Sequence, residues 1–173
     1  MDERALLLDD AVIRNMLPTL GRSLTSVTYA ALEHEIGEAR DLALSVVYIG
    51  GELILRFKGV EQPVVVTWAE NAGWPDHFSI QVRRDSAFTL GALVNWLANE
   101  LPPWRVHIGS PLMRVRLFAQ NRTPRVLELA FRNGRILLGD GYAGTFGDGD
   151  DLIVRAGDDP SLLDGWELMW SSS

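Results

Sequence analysis

Two periods run along the chain. Residues 86–101 place Leu90, Leu93, Val94, Leu97 and Leu101 on one side of a helix; Ser86 or Thr89 can cap its start, and Pro102-Pro103 ends it. Residues 2–17 carry Ala5, Leu6, Leu8, Val12, Ile13, Met16 and Leu17 largely on one side, with Asp2 as cap and Pro18 as stop. Elsewhere the period is two or the run is β-branched. Strands are predicted at Leu24–Tyr29, Ala43–Ile49, Leu53–Phe57, Val64–Trp68, Phe78–Val82, Trp104–Ile108, Leu112–Phe118, Arg125–Arg132, Arg135–Leu138, Leu152–Arg155 and Trp166–Trp170. Ala43–Ile49 is apolar on both faces, which predicts a central, buried strand. Gly50-Gly51 and Asn133-Gly134 read as two-residue hairpin turns, the second of type I′. The charged stretch from Leu32 to Asp41, with Gly37 in it, reads as a turn.

The two β halves share a pattern. Leu20-Gly21, Leu24 and Val27 match Ile108-Gly109, Leu112 and Val115, and Leu44–Leu55 lines up with Leu127–Leu138 across a glycine in each copy. The predicted fold is therefore α+β and β-rich. It has two antiparallel β-meander repeats, 20–85 and 104–156, an N-terminal helix, and one central helix, 86–101, linking the repeats and packed on the sheet. One domain over residues 1–173 is expected.

Composition narrows the class. With 47% hydrophobic and 23% charged residues, the 173-residue chain is not of the disordered type. Without cysteine it can form no disulfide and no thiolate metal site. No apolar run approaches the ~20 residues of a membrane span. The acidic start Met1-Asp2-Glu3-Arg4 and the interrupting Asp9 and Asp10 do not fit a signal peptide, so a cytoplasmic protein is expected.

Charge is unevenly placed. The net charge is -7, and residues 1–138 balance. Residues 139–173 hold Arg155 against Asp140, Asp148, Asp150, Asp151, Asp158, Asp159, Asp164 and Glu167. Just upstream, Arg105, Arg114, Arg116, Arg122, Arg125, Arg132 and Arg135 are accompanied by Glu128 alone. A pI near 4.9 and the lack of any nucleic-acid motif argue against nucleic acid. A polar face for a protein partner is the expected use of this charge.

Candidate chemistry is sparse. His34, His77 and His107 stand in no metal-ligand spacing, and no nucleophile elbow or phosphate loop occurs. Asp76-His77, after Trp74-Pro75, pairs a carboxylate with an imidazole, but neighbours on a strand point to opposite faces. Trp74 in its Gly-Trp-Pro turn is a candidate interface anchor. Gly147-Asp148-Gly149-Asp150-Asp151-Leu152-Ile153 resembles one turn of the Gly/Asp calcium nonapeptide repeat, without a tandem copy to complete a site. No metal and no cofactor are expected.

The expected function is non-enzymatic binding of a basic protein partner through Trp74, Asp76 and His77 or through Asp148, Asp150 and Asp151. In general type, a small acidic cysteine-free β-rich domain, the chain is similar to immunity proteins that neutralise bacterial toxins. Two alternatives stand beside this: a small ligand held in a groove between the repeats, and a hydrolase-like enzyme centred on Asp76 and His77.

Overall fold

A computed structural model describes residues 11–41, 46–70, 78–85, 93–142, 145–157 and 159–172. Helix α1 covers 11–16 and runs into a 3-10 turn, Leu17–Thr19, which opens on Pro18 where the α-helix must stop. Then follow β1 (Leu24–Ala31), α2 (Glu33–Asp41), β2 (Val46–Ile49), β3 (Glu52–Phe57), β4 (Val64–Glu70), β5 (Phe78–Arg83) and β6 (Val94–Leu97). The second half supplies β7 (Leu112–Gln120), β8 (Thr123–Phe131), β9 (Gly134–Tyr142), β10 (Thr145–Phe146), β11 (Asp151–Ala156), a 3-10 turn Pro160–Leu163 and β12 (Glu167–Ser171).

The strands form two antiparallel sheets. The first has five strands in the order β5-β4-β3-β1-β6; the second runs β12-β7-β8-β9-β11-β2, with β10 on β9 as its seventh. The architecture is a β-rich α+β fold. Alternation along each strand sends one face inward, and one apolar core joins Val27, Tyr29, Leu53, Leu55 and Val66 of the first sheet to Val115, Leu127, Leu129, Leu138 and Leu152 of the second. At its centre the indole Nε1–H of Trp104 donates to the Tyr29 hydroxyl at 2.7 Å, both side chains being fully buried. Burial pushes the Tyr29 phenol well above its ordinary range. A smaller cluster, Phe118, Val126 and Leu137, lies on the outer face of the second sheet under Phe146, Leu162, Leu163 and Trp166. No described helix is long and apolar enough to cross a membrane.

Several expectations are corrected. The described part of the 86–101 helix is an edge strand. Val94–Leu97 pairs with Thr28–Ala31, Ala98 N–H donates to Val27 O at 2.8 Å, and Asn99 Oδ1 accepts from Val27 N–H at 2.8 Å. Leucines three and four apart also fit a short strand and its turn, and the open edge of β1 decides the matter. Residues 86–92 lie outside the described residues. Trp104–Ile108 is a run of turns, begun by Pro102-Pro103, and not a strand. The charged segment expected as a turn is α2, with Glu33 and Glu35 in its first turn, where carboxylates favour the helix dipole.

Gly50-Gly51 is not a hairpin either. It carries the chain from β2, at the edge of the second sheet, to β3 in the first. A Cβ on Gly51 would lie 1.8 Å from Ala30 O, so the crossover needs glycine for close approach. Placing β2 at an edge also overturns its expected central position, and Tyr48 is 42% exposed. The matched segments of the two halves thus differ in topology, since β8 and β9 pair directly and β2 and β3 do not. The left-handed pair of a type I′ turn occurs at Asn121 and Arg122 (φ 52° and 65°), between β7 and β8. At the β8–β9 turn only Gly134 has a positive φ, 129°.

Candidate functional site

The end of β9 and the turn 147–150 form an acidic corner built around a buried arginine. Arg125 on β8 and Asp140 on β9 share the parity of the inward-facing Leu127 and Leu138, so both enter the rim of the core. Arg125 is 1% exposed and Asp140 fully buried. The Arg125 Nη1 donates to Asp140 Oδ2, to Gly147 O at 3.0 Å and to Phe78 O at 3.3 Å. Its Nη2 lies 3.5 Å from Asp148 Oδ1, which also accepts the Phe78 N–H at 2.9 Å. One guanidinium therefore ties the second sheet to β5 of the first. Burial pushes the Asp140 carboxyl up to about 8, against the pull of Arg125, and the Asp148 charge adds to the rise.

The turn that resembles a calcium repeat thus serves an internal cation: Gly147 O and Asp148 both face Arg125. Glycine is required here by space, because a Cβ on Gly149 would lie 2.0 Å from Gly141 O. Among the described residues, no group of three or more histidines or carboxylates is placed to hold a metal ion.

Around this staple the surface is anionic. Asp150 is exposed, and Asp151, which opens β11 opposite Gly141, is half-buried. Burial first, then the nearby Asp150 and Glu35 charges, push the Asp151 carboxyl up. Glu35 is held in place by the Gly50 and Leu32 N–H groups at 3.0 and 2.9 Å. Glu70, exposed at the end of β4, stands opposite Phe78. Beside Asp150 and Asp151, Tyr142 closes β9 with 71% of its surface in solvent. Its backbone is fixed by pairing with Thr145 and by the close approach of Gly149.

Of the six predicted partner-binding residues, Asp148, Asp150 and Asp151 share this corner, and the exposed Asp148 also faces Arg125 and holds the Phe78 N–H. Trp74, Asp76 and His77 lie outside the described residues; the description resumes at Phe78, which Asp148 holds. His107 is buried, and its ring stacks on Phe131 with centroids 4.9 Å apart. Tyr142, Arg125, Glu35 and Glu70 were not foreseen. Tyr142 had a visible signal, an aromatic residue in a Gly/Asp-rich loop, whereas Arg125 sits in an ordinary strand pattern that betrays nothing of its burial. Two surface concavities, about 110 Å³ beside Val12 and Ile80 and about 180 Å³ beside Leu17 and Trp170, are smaller than the roughly 300 Å³ of a usual ligand pocket.

No family model matches the chain, and neither a curated protein nor a solved structure is significantly similar to it.

Proposed function

We propose that the protein is a non-enzymatic binding domain whose acidic corner receives a basic segment of another protein. The observation that carries this reading is Tyr142, 71% exposed on a fixed backbone and set beside Asp150 and Asp151 by the pairing of Asp151 with Gly141. An aromatic side chain with few rotamers loses little entropy on binding and offers a π-face to a lysine or arginine. The surrounding carboxylates attract such a partner and reject acidic ones. Inhibition of a basic toxin, in the manner of immunity proteins, is the specific form of this reading that the acidic, cysteine-free composition favours.

The test is capture from host lysate at low ionic strength, with wild type, Tyr142→Ser and Asp150→Arg as parallel baits, since salt screens such contacts. One basic protein held in stoichiometric amount by wild type and lost from both variants is the expected result. A partner retained equally by all three, or none captured, overturns the proposal.

A further inference from the structure

The opposite end of the second sheet carries the reverse charge. On its outer face Arg114 and Arg116 of β7, Glu128 of β8 and Arg135 of β9 meet. Glu128 is fully buried; Arg116 clamps it with Nε at 2.9 Å and Nη2 at 2.7 Å, and Arg135 Nη1 donates at 2.8 Å. Arg114, with 49% of its side chain exposed, stands 3.7 Å away, too far for a hydrogen bond. One buried carboxylate thus faces three guanidinium groups, and the exposed Asp159 carboxylate lies within the field of Arg135 and Arg155, which leaves an excess of two cationic groups among these six. Arg155 lies in the same cross-strand row as Arg116 and Glu128, on the same face. Exposed Arg132 and Arg105 join this end, because Asn133 Nδ2 donates to Val106 O at 3.1 Å and holds the two turns together.

We propose that this arginine end is a second docking surface, for an Asp/Glu-rich segment of a partner protein. Charge complementarity selects the occupant: the cluster has cationic excess and already binds a carboxylate in two-pronged fashion at Glu128, which holds Arg116 and Arg135 rigid. The surface is a sheet face and not a pocket, which suits an extended segment. Along β9, Leu137, level with Glu128, stands about 14 Å from Gly141 at the acidic corner, and Arg135 about 20 Å, both beyond one Debye length at physiological salt, so each cluster acts mainly on its own neighbourhood. A long uniform polyanion such as nucleic acid also meets the net charge of -7, which a short acidic segment largely avoids.

The test uses the full chain and a fluorescein-labelled peptide of alternating Glu and Ala, read by fluorescence anisotropy at about 50 mM salt. Arg114→Glu with Arg132→Glu, both exposed positions, is expected to weaken binding at least about tenfold with the melting midpoint unchanged. Asp150→Arg is expected to leave peptide binding intact, which separates this surface from the acidic corner. Three results would overturn the proposal. One is equal affinity in the double variant. Another is tighter binding of a single-stranded oligonucleotide lost in the same variant. The third is salt-sensitive self-association of wild type, abolished by either Arg114→Glu or Asp150→Arg, which would make a second copy the occupant.

Discussion

Replacing Arg125 with methionine would keep most of the side chain's apolar bulk and remove its donors. Four acceptors then lose their partner: Asp140, Asp148, Gly147 O and Phe78 O. Asp148 and the chain near Phe78 can recover water, but Asp140 is fully buried. An unsatisfied buried group costs about 1–3 kcal/mol, and the loss expected here lies at the upper end, about 3 kcal/mol, because two backbone carbonyls lose a donor together with the Asp140 carboxyl. At a urea dependence of roughly 2 kcal/mol per molar, the unfolding midpoint falls by about 1.5 M. The carboxyl of Asp140 keeps its proton up to about 8 in the native protein, so the deficit is level at lower pH and widens above that value. Urea titrations of both proteins at three pH values measure this directly. A midpoint shift below about 0.5 M would mean that methionine fills the site as well as the hydrogen-bonded arginine does, and would refute the staple between the sheets.

The folded Asp140 holds its proton to about 8 while an unfolded aspartate releases it near 4, so stability falls as pH rises through that window, and Asp140→Asn is expected to flatten the dependence in thermal melts. Glu128 behaves oppositely: burial pushes its carboxyl up, but the hydrogen bonds and charges of Arg116 and Arg135 outweigh this and hold it low. Its contribution is present above about pH 4 and lost on further acidification, a limb that Glu128→Gln should lack. Gly51→Ala forces a Cβ onto the Ala30 carbonyl and should cost more than about 2 kcal/mol or prevent folding, whereas Gly147→Ala, which meets nothing within 4 Å, should cost less than about 1 kcal/mol by urea titration. Arg122→Gly, relieving a left-handed residue at φ 65°, should stabilise by about 1 kcal/mol in the same assay.

Much of the β framework was legible because alternation reports the inward face directly. The strands Val64–Glu70, Phe78–Arg83, Leu112–Gln120 and Asp151–Ala156 lie where their patterns place them. What could not be read was pairing. The segment 94–97 fits helix or strand by spacing alone, and only the unpaired edge of β1 resolves it. Gly50-Gly51 has hairpin composition, yet the glycine is needed for contact with a different strand, β1, a tertiary fact with no local signal. Trp166 and Trp170, four residues apart, would share a face of a regular strand, but they pack on opposite sides of the sheet because a register shift between Leu168 and Trp170 turns the strand over. Of the binding residues, the acidic turn was visible as charge density. Its internal half, Arg125 with Asp140 and Asp148, was not, since burial of an arginine depends on two sheets meeting.

An acidic corner that acts as a focused surface differs measurably from one part of a generally anionic molecule. Amide chemical-shift mapping of the labelled 19.2-kDa protein with an arginine-rich peptide distinguishes the two. Perturbations concentrated at Tyr142, Thr145, Asp150 and Asp151, and removed by Tyr142→Ser, are predicted. Equal perturbation at the exposed carboxylates of Asp159 and Asp164, with Tyr142 unmoved, would contradict it.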